Sequence, residues 1–308
     1  MKFYFAPLVG VTGHVYRKAH HMVFPQVDKY FTPFVSPTAN GIVKQKELQD
    51  VLPENNDSIP VVPQILTNDA TFFIATAKQL KEFGYKEVNL NLGCPSGPVV
   101  SRGRGSGFLA KPNELDAFLE EIFEADLMKI SIKTRIGKDS PEEIYRLMEI
   151  YNKYPLEDLI IHPRIQKDFY KNTPNRPVFY EAAKISKNPI CYNGDIYTKE
   201  EYEALKEEFP SLRCVMFGRG LLHNPALVRE ILTGEKATKE EIKSLHDIVF
   251  ERYVSIYPLE DGILARMKQF WFYVNGLFAE HETIWSKVKD CKTLAEYGKI
   301  TEELFCMD

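Results

Sequence analysis

The chain predicts an α/β fold: a TIM (β/α)8 barrel over residues 1–234, followed by a small helical domain over 235–308. Three observations predict it. Eight short apolar runs of strand length recur along about 230 residues. Amphipathic stretches of helical length separate most of them, and alternating β and α implies a parallel sheet, because parallel neighbours need a crossover. Polar or charged residues then close nearly every apolar run, which is the pattern of a barrel rim.

The strand-like runs are 2–6, 29–34, 60–65, 87–92, 129–133, 158–162, 189–193 and 213–217. The helical stretches between them are 70–83, 114–125, 142–151, 178–185 and 199–208. A doubly wound open sheet is the structural alternative, but Gly10-Val11-Thr12-Gly13 after the first run lacks the G-x-G-x-x-G fingerprint. Beyond Gly234 the pattern changes. Thr238 and Glu241 form a Thr-x-x-Glu capping box opening a helix through Tyr253, and helical stretches follow at 263–277, 283–288 and 294–305. This tail holds ten Lys/Arg against fourteen Asp/Glu, so it is not a basic arm.

Composition narrows the function classes. The chain has 308 residues, is 44% hydrophobic and 27% charged, and carries a net charge of −4. A bulk electrostatic case for nucleic acid is therefore absent, and an RNA partner has to meet a local patch. No apolar stretch reaches transmembrane length and the N-terminus shows no signal-peptide pattern, so no membrane partner is expected, and the cysteine usage leads to a cytoplasmic expectation. Five cysteines without a C-x-x-C pair fit a reducing compartment and no zinc site. We expect a monomer without metal.

Cys94 is the strongest chemical signal. It follows the apolar run 88–92 in Asn91-Leu92-Gly93-Cys94-Pro95, so the thiol sits at a strand's C-terminal end, beside a turn. A buried structural thiol is the commoner fate of a free Cys, but it has no need of that turn. Gln64, Asn91, Lys133, Arg135, His162, Arg164, Asn193, Asp195 and Arg219 stand at the ends of the other runs. Asn193-Gly194-Asp195 and Gly218-Arg219-Gly220 follow the seventh and eighth runs, where barrels hold phosphate on backbone N–H groups and a forked guanidinium. Lys133 at a buried strand end suits an anionic ring edge, with a structural ion pair to a carboxylate such as Asp195 as the competing reading.

These motifs together resemble the tRNA-dihydrouridine synthase family. The resemblance runs through Ala6-Pro7-Leu8-Val9-Gly10-Val11-Thr12, Pro63-Gln64-Ile65, the segment 89–95, Lys133-Thr134-Arg135, His162-Pro163-Arg164, Asn193-Gly194-Asp195 and Gly218-Arg219-Gly220, in the family's order. The tail segment Arg266-Met267-Lys268-Gln269-Phe270-Trp271 is similar to the family's basic-aromatic helix. Gly13 and Ile165 depart from the pattern, which usually has an acidic residue and a Thr there.

The resemblance implies FMN-dependent reduction of the C5–C6 double bond of a uridine in tRNA, with NADPH, or alternatively NADH, as electron donor. It gives Cys94 the general-acid role opposite a hydride from FMN N5. It places Pro7, Leu8 and Val9 on the flavin face and Gln64 and Lys133 at its ring edge, with His162 meeting flavin or base. Asn193, Gly194, Asp195, Gly218 and Arg219 fall at its phosphate end. Asn91 and Arg135 fall to the substrate base, while Arg102, Arg104, Arg164, Lys167, Arg266 and Lys268 are expected by their charge to hold RNA phosphates. The alternative is another FMN barrel acting on a free pyrimidine-like molecule, of dihydroorotate dehydrogenase type.

Overall fold

The computed structural model describes residues 1–38, 41–42, 44–278 and 281–306. Nine parallel strands form its sheet: β1 (Lys2–Phe5), β2 (Lys29–Phe31), β3 (Val61–Val62), β4 (Gln64–Ile65), β5 (Glu87–Leu92), β6 (Lys129–Gly137), β7 (Leu159–Ile165), β8 (Ile190–Tyr192) and β9 (Cys214–Phe217). Their order is β3-β2-β1-β9-β8-β7-β6-β5-β4. The two ends of that order, β3 and β4, are halves of one chain segment interrupted at Pro63. Proline has no N–H for the ladder, so the segment breaks there. Its first half pairs with β2 and its second with β5, which closes the sheet into a barrel.

Helices Ala70–Glu82, Pro112–Glu124, Glu143–Tyr151, Arg176–Ile185 and Lys199–Glu208 cover the outside. Their starts have local causes. Asp69 accepts from Phe72 N at 2.9 Å, Asn175 accepts from Val178 N at 3.2 Å, and Thr198 with Glu201 forms a capping box. Helix His14–Val23 was not among the predicted elements. Its cap position, Gly13, has no side chain, and Asp50 supplies the missing acceptor to His14 N at 2.7 Å.

The core has two parts. One lies between sheet and helices; the other fills the barrel with Tyr4, Phe31, Val62, Ile160, Cys191, Cys214 and Met216. Below it Lys29 bridges Glu87 at 2.7 Å and Asp158 at 2.8 Å, and Tyr4 donates to Asp158 at 2.9 Å. These groups close the N-terminal end of the barrel, where buried polar groups serve stability.

Helices Lys239–Ile256, Glu260–Val274, His281–Asp290 and Leu294–Cys306 follow, the first opened by the Thr238–Glu241 capping box. Lys239–Ile256 packs on His14–Val23, and Glu260–Val274 on the short helix Arg219–His223. Trp271 is fully buried and donates to the Tyr297 hydroxyl at 2.8 Å. Among the described residues no helix is long and apolar enough to cross a membrane.

Candidate active site

The C-terminal ends of the strands surround a cavity of about 580 Å³. That volume is in the range of cofactor and small-ligand sites. Strand geometry selects what faces it. Side chains two apart share a face, so Lys133 and Arg135 on β6 both point inward. His162 on β7 lies beside Arg135 in the sheet, and Arg164 follows two residues on. The structure extends β6 to Gly137 and β7 to Ile165, so Arg135 and Arg164 also stand on strands rather than on rim loops.

The cavity is cationic within an acidic protein. Lys133, Arg135 and Arg219 line it against one carboxylate, Asp195. Asp195 accepts from Arg164 through both oxygens, at 3.2 and 2.5 Å, and from Arg219 at 2.7 Å. Burial opposes the charge on Asp195, but the two guanidiniums outweigh it and hold the carboxyl below its ordinary value. Lys133 has no hydrogen bond or ion pair among the described residues. Burial, and then the neighbouring Arg135 guanidinium, lower its ammonium to about 8. The expected competing pair with Asp195 is therefore not formed.

Arg135 works as a clamp. Its guanidinium donates to the carbonyls of Gly93 at 2.9 Å, Ile165 at 2.8 Å and Phe169 at 2.8 Å. It thereby ties the loop after β5 to the loop after β7. Phe169 has φ 50°, a backbone state uncommon for a non-glycine residue, and its carbonyl is one of those held. His162 Nδ1 lies 2.7 Å from the Asn193 carbonyl, which can only accept, so Nδ1 carries the proton. Burial, then the charges of Lys133 and Arg135, push its pKa well below the ordinary value, leaving a neutral ring.

Cys94 lines the same cavity with its thiol free and half-buried. Burial raises its pKa, against the pull of the Ser96 N–H and of Arg135 and Lys133, so the group keeps its proton at neutral pH. Its backbone is fixed on both sides. Asn91 Oδ1 accepts from Gly93 N at 3.0 Å and Cys94 N at 2.9 Å, and Ser106 donates to the Cys94 carbonyl at 2.8 Å. Gly105 has φ 54°, and a Cβ there would stand 2.8 Å from that carbonyl. Only glycine fits that approach.

Pro7, Leu8, Val9, Gln64, Asn91, Cys94, Lys133, Arg135, His162, Asn193, Gly194, Asp195, Gly218 and Arg219 all line the cavity. Six predicted residues do not, among them Lys167, which pairs with Asp139 at 2.8 Å. Arg164 is buried behind the rim on Asp195 and the Asn172 carbonyl. Arg102 and Arg104 sit on the loop beyond Cys94, with Arg104 Nε donating to Asn68 at 3.3 Å. Arg266 donates to the Gly10 carbonyl and to the Tyr257 hydroxyl. Lys268 donates to the carbonyls of Lys289 at 2.9 Å and Cys291 at 2.7 Å.

Aromatic side chains at the mouth were missed by sequence reasoning. Tyr170 lies 5.4 Å from the Arg135 guanidinium and 5.3 Å from that of Arg219, and Tyr197 lies 5.5 Å from Arg219. Phe34 and Phe169 come from barrel loops, while Tyr273 arrives from helix Glu260–Val274. The available signal was Phe169-Tyr170, an aromatic pair in an otherwise polar loop.

A barrel with a thiol, an unpaired lysine and a cationic mouth at the C-terminal ends of its strands has the form of an enzyme site. The sequence pattern of the family described as Dihydrouridine synthase (Dus) matches residues 4–304, and the chain belongs to that family of oxidoreductases. It is 28% identical over 316 aligned residues to the "Probable tRNA-dihydrouridine synthase" of Staphylococcus aureus (strain Mu50 / ATCC 700699), covering 98% of this chain and 92% of the relative. The like-named protein of Rickettsia bellii (strain RML369-C) is 26% identical, covering 88% and 85%. Among solved structures, morphinone reductase in complex with tetrahydroNAD matches with TM-score 0.54 at 13% identity, covering 79% of this chain and 90% of that one. Histamine dehydrogenase from Rhizobium sp. 4-9 matches with TM-score 0.55 at 11% identity, covering 80% and 49%. Those two likenesses speak to the barrel fold alone.

Proposed function

We propose that the protein reduces the C5–C6 double bond of a uridine in tRNA, with FMN as resident cofactor and NADPH as electron donor. The observation that carries this reading is Lys133. It is an ammonium without a counter-charge, in the same cavity as a protonated thiol. Such a cation is costly unless an anion or a strongly accepting ring edge meets it. The donor set fits FMN. Lys133 stands for the ring edge, and Arg219 with the loops at Asn193–Asp195 and Gly218–Gly220 for the phosphate.

Bound flavin supplies the two-electron reducing equivalent. The chain's own residues do the rest. Lys133 balances negative charge at the ring edge. Neutral His162 adds no positive charge beside Lys133, and its Nε2 faces the Arg164 guanidinium at 3.4 Å. Cys94 holds the proton needed at the second carbon of the reduced bond, on a loop that Asn91 and Arg135 keep rigid. Tyr170 and Tyr273 offer aromatic surface to a base turned out of its stack. Residues 235–308 act as the tRNA-docking part, since their Tyr273 already reaches the cavity.

The test uses purified protein, unmodified tRNA and NADPH. Expected outcomes are FMN released on heating, identified by mass, and dihydrouridine detected in digested tRNA. Recovery of FAD, or turnover of free uridine or dihydroorotate in place of tRNA, overturns the reading.

A further inference from the structure

We propose that Asn89 and Gln64 are positioning residues for Cys94, acting through a one-way chain of buried amides. The chain starts at the thiol's own backbone. The N–H groups of Gly93 and Cys94 can only donate, and both point at the Asn91 side chain, at 3.0 and 2.9 Å. Asn91 must therefore present Oδ1 to them, which turns its Nδ2 toward Gln64. Nδ2 donates to Gln64 Oε1 at 2.7 Å. Gln64 is then left facing Asn89 with Nε2, which donates to Asn89 Oδ1 at 2.7 Å. Asn89 Nδ2 donates in turn to Ser131 Oγ at 3.0 Å. Each orientation follows from the one above it.

Asn89 and Ser131 are 0% exposed and lie off the cavity lining, so neither can exchange its partner for water, and Gln64, also 0% exposed, is the link that reaches the cavity. Asn89 does not line the cavity. It reaches the thiol only through Gln64 and Asn91. Removing the Asn89 oxygen strands a buried Gln64 N–H, and the remedy open to Gln64 is to rotate away from Asn91. Asn91 then loses the contact that fixes its rotamer, and with it the grip on the Cys94 backbone. Ser131 stands at the far end, and the direction of the chain is already set from the top.

The experiment compares Asn89→Leu, Asn89→Thr (too short to reach Gln64), Asn89→Asp and Ser131→Ala with the natural protein. Alkylation of Cys94 by iodoacetamide is timed by peptide mass in flavin-free protein, with exposed Cys306 as internal standard. Uridine reduction, flavin reduction by NADPH and melting temperature are measured alongside. In the Leu and Thr variants the Cys94-to-Cys306 rate ratio shifts several-fold and uridine reduction slows about tenfold or more, the weight of roughly one hydrogen bond. Flavin reduction falls less than uridine reduction does. Asn89→Asp still accepts from Gln64 and restores both readouts, although its buried carboxylate gives it the lowest melting temperature. Ser131→Ala leaves both readouts within about twofold, because it cuts only the end of the chain.

An unchanged alkylation ratio in the Leu and Thr variants overturns the proposal. So does a loss that follows melting temperature, with Asp worst, or a Ser131→Ala effect equal to that of Leu. The kinetic measurement rests on the uridine-reductase reading. If the natural protein reduces no tRNA uridine, that reading fails and the alkylation ratio alone decides the relay.

Discussion

Arg219 donates to Asp195 Oδ1 at 2.7 Å, on the same carboxylate whose two oxygens Arg164 holds from the barrel side. The carboxylate that follows the Asn-Gly pair therefore faces guanidiniums and is poorly placed to face a phosphate directly. Its effect on an anion is indirect, through where it holds Arg219.

Asp195→Asn should thus weaken FMN binding without touching the isoalloxazine end. The two guanidiniums lose their shared anion and Arg219 is no longer fixed. The expected rise in the FMN dissociation constant is about tenfold, the range for a hydrogen bond to a charged group. Riboflavin, which lacks the phosphate, should bind both proteins alike. Fluorescence titration of the two flavins checks this, and an equal loss for riboflavin would show that Asp195 acts elsewhere.

Cys94→Ala should leave FMN binding and NADPH oxidation nearly intact while uridine reduction falls roughly 10²- to 10⁴-fold. The sign of the pH dependence follows from burial. The thiol's pKa is raised, so the acid form persists through neutral pH. Uridine reduction should therefore be flat there and decline only in the alkaline range, above ordinary thiol values. A single-turnover pH profile showing loss on the acid side would contradict the assignment.

Lys133 offers a test on the flavin-free protein. Its ammonium is lowered to about 8, so between there and the ordinary lysine range the unfolded chain binds more protons than the folded one. Stability contributed by this group is present at high pH and lost as pH falls through about 8. Lys133→Met should accordingly stabilise the flavin-free protein at pH 7, by ~1–3 kcal/mol, while abolishing tight flavin retention. The difference in melting temperature between the two proteins should shrink as pH rises through 8 to 10. A constant difference would mean that Lys133 is not held against its charge.

The barrel and the identity of most cavity residues were legible because the governing signals are local. Apolar runs closed by Gly, Pro or a polar residue mark strand ends, and Gln64, Cys94, Lys133, Arg135 and His162 were found that way. Helix His14–Val23 was not, since its cap comes from Asp50, far along the chain. Yet Val15, Tyr16, Ala19 and His20 sit at helical spacing and are buried. Partner choice was illegible throughout. Arg135 read as a substrate-base contact and Arg164, Arg266 and Lys268 as RNA contacts, and each is engaged with carbonyls or carboxylates that only tertiary structure brings near.

These engaged cations change which residues are expected to meet RNA. Lys268 holds two carbonyls at the end of helix His281–Asp290, and Arg266 holds the Gly10 carbonyl in the turn beside Val9. Arg102 is exposed on the loop after Cys94, and its guanidinium has no hydrogen bond or ion pair among the described residues. Arg102→Ala should reduce the slope of log affinity for tRNA against log salt by about one contact's worth, roughly 0.7–0.9. Lys268→Ala should leave that slope unchanged while lowering stability by ~1 kcal/mol, because carbonyls at a helix end lose their donor. Arg266→Ala should loosen the turn over 8–12 and so raise the FMN dissociation constant rather than alter the salt slope. Filter binding of tRNA at several salt concentrations, with thermal melts of the same proteins, separates the three. A Lys268→Ala slope reduced as much as that of Arg102→Ala would show that Lys268 itself meets RNA.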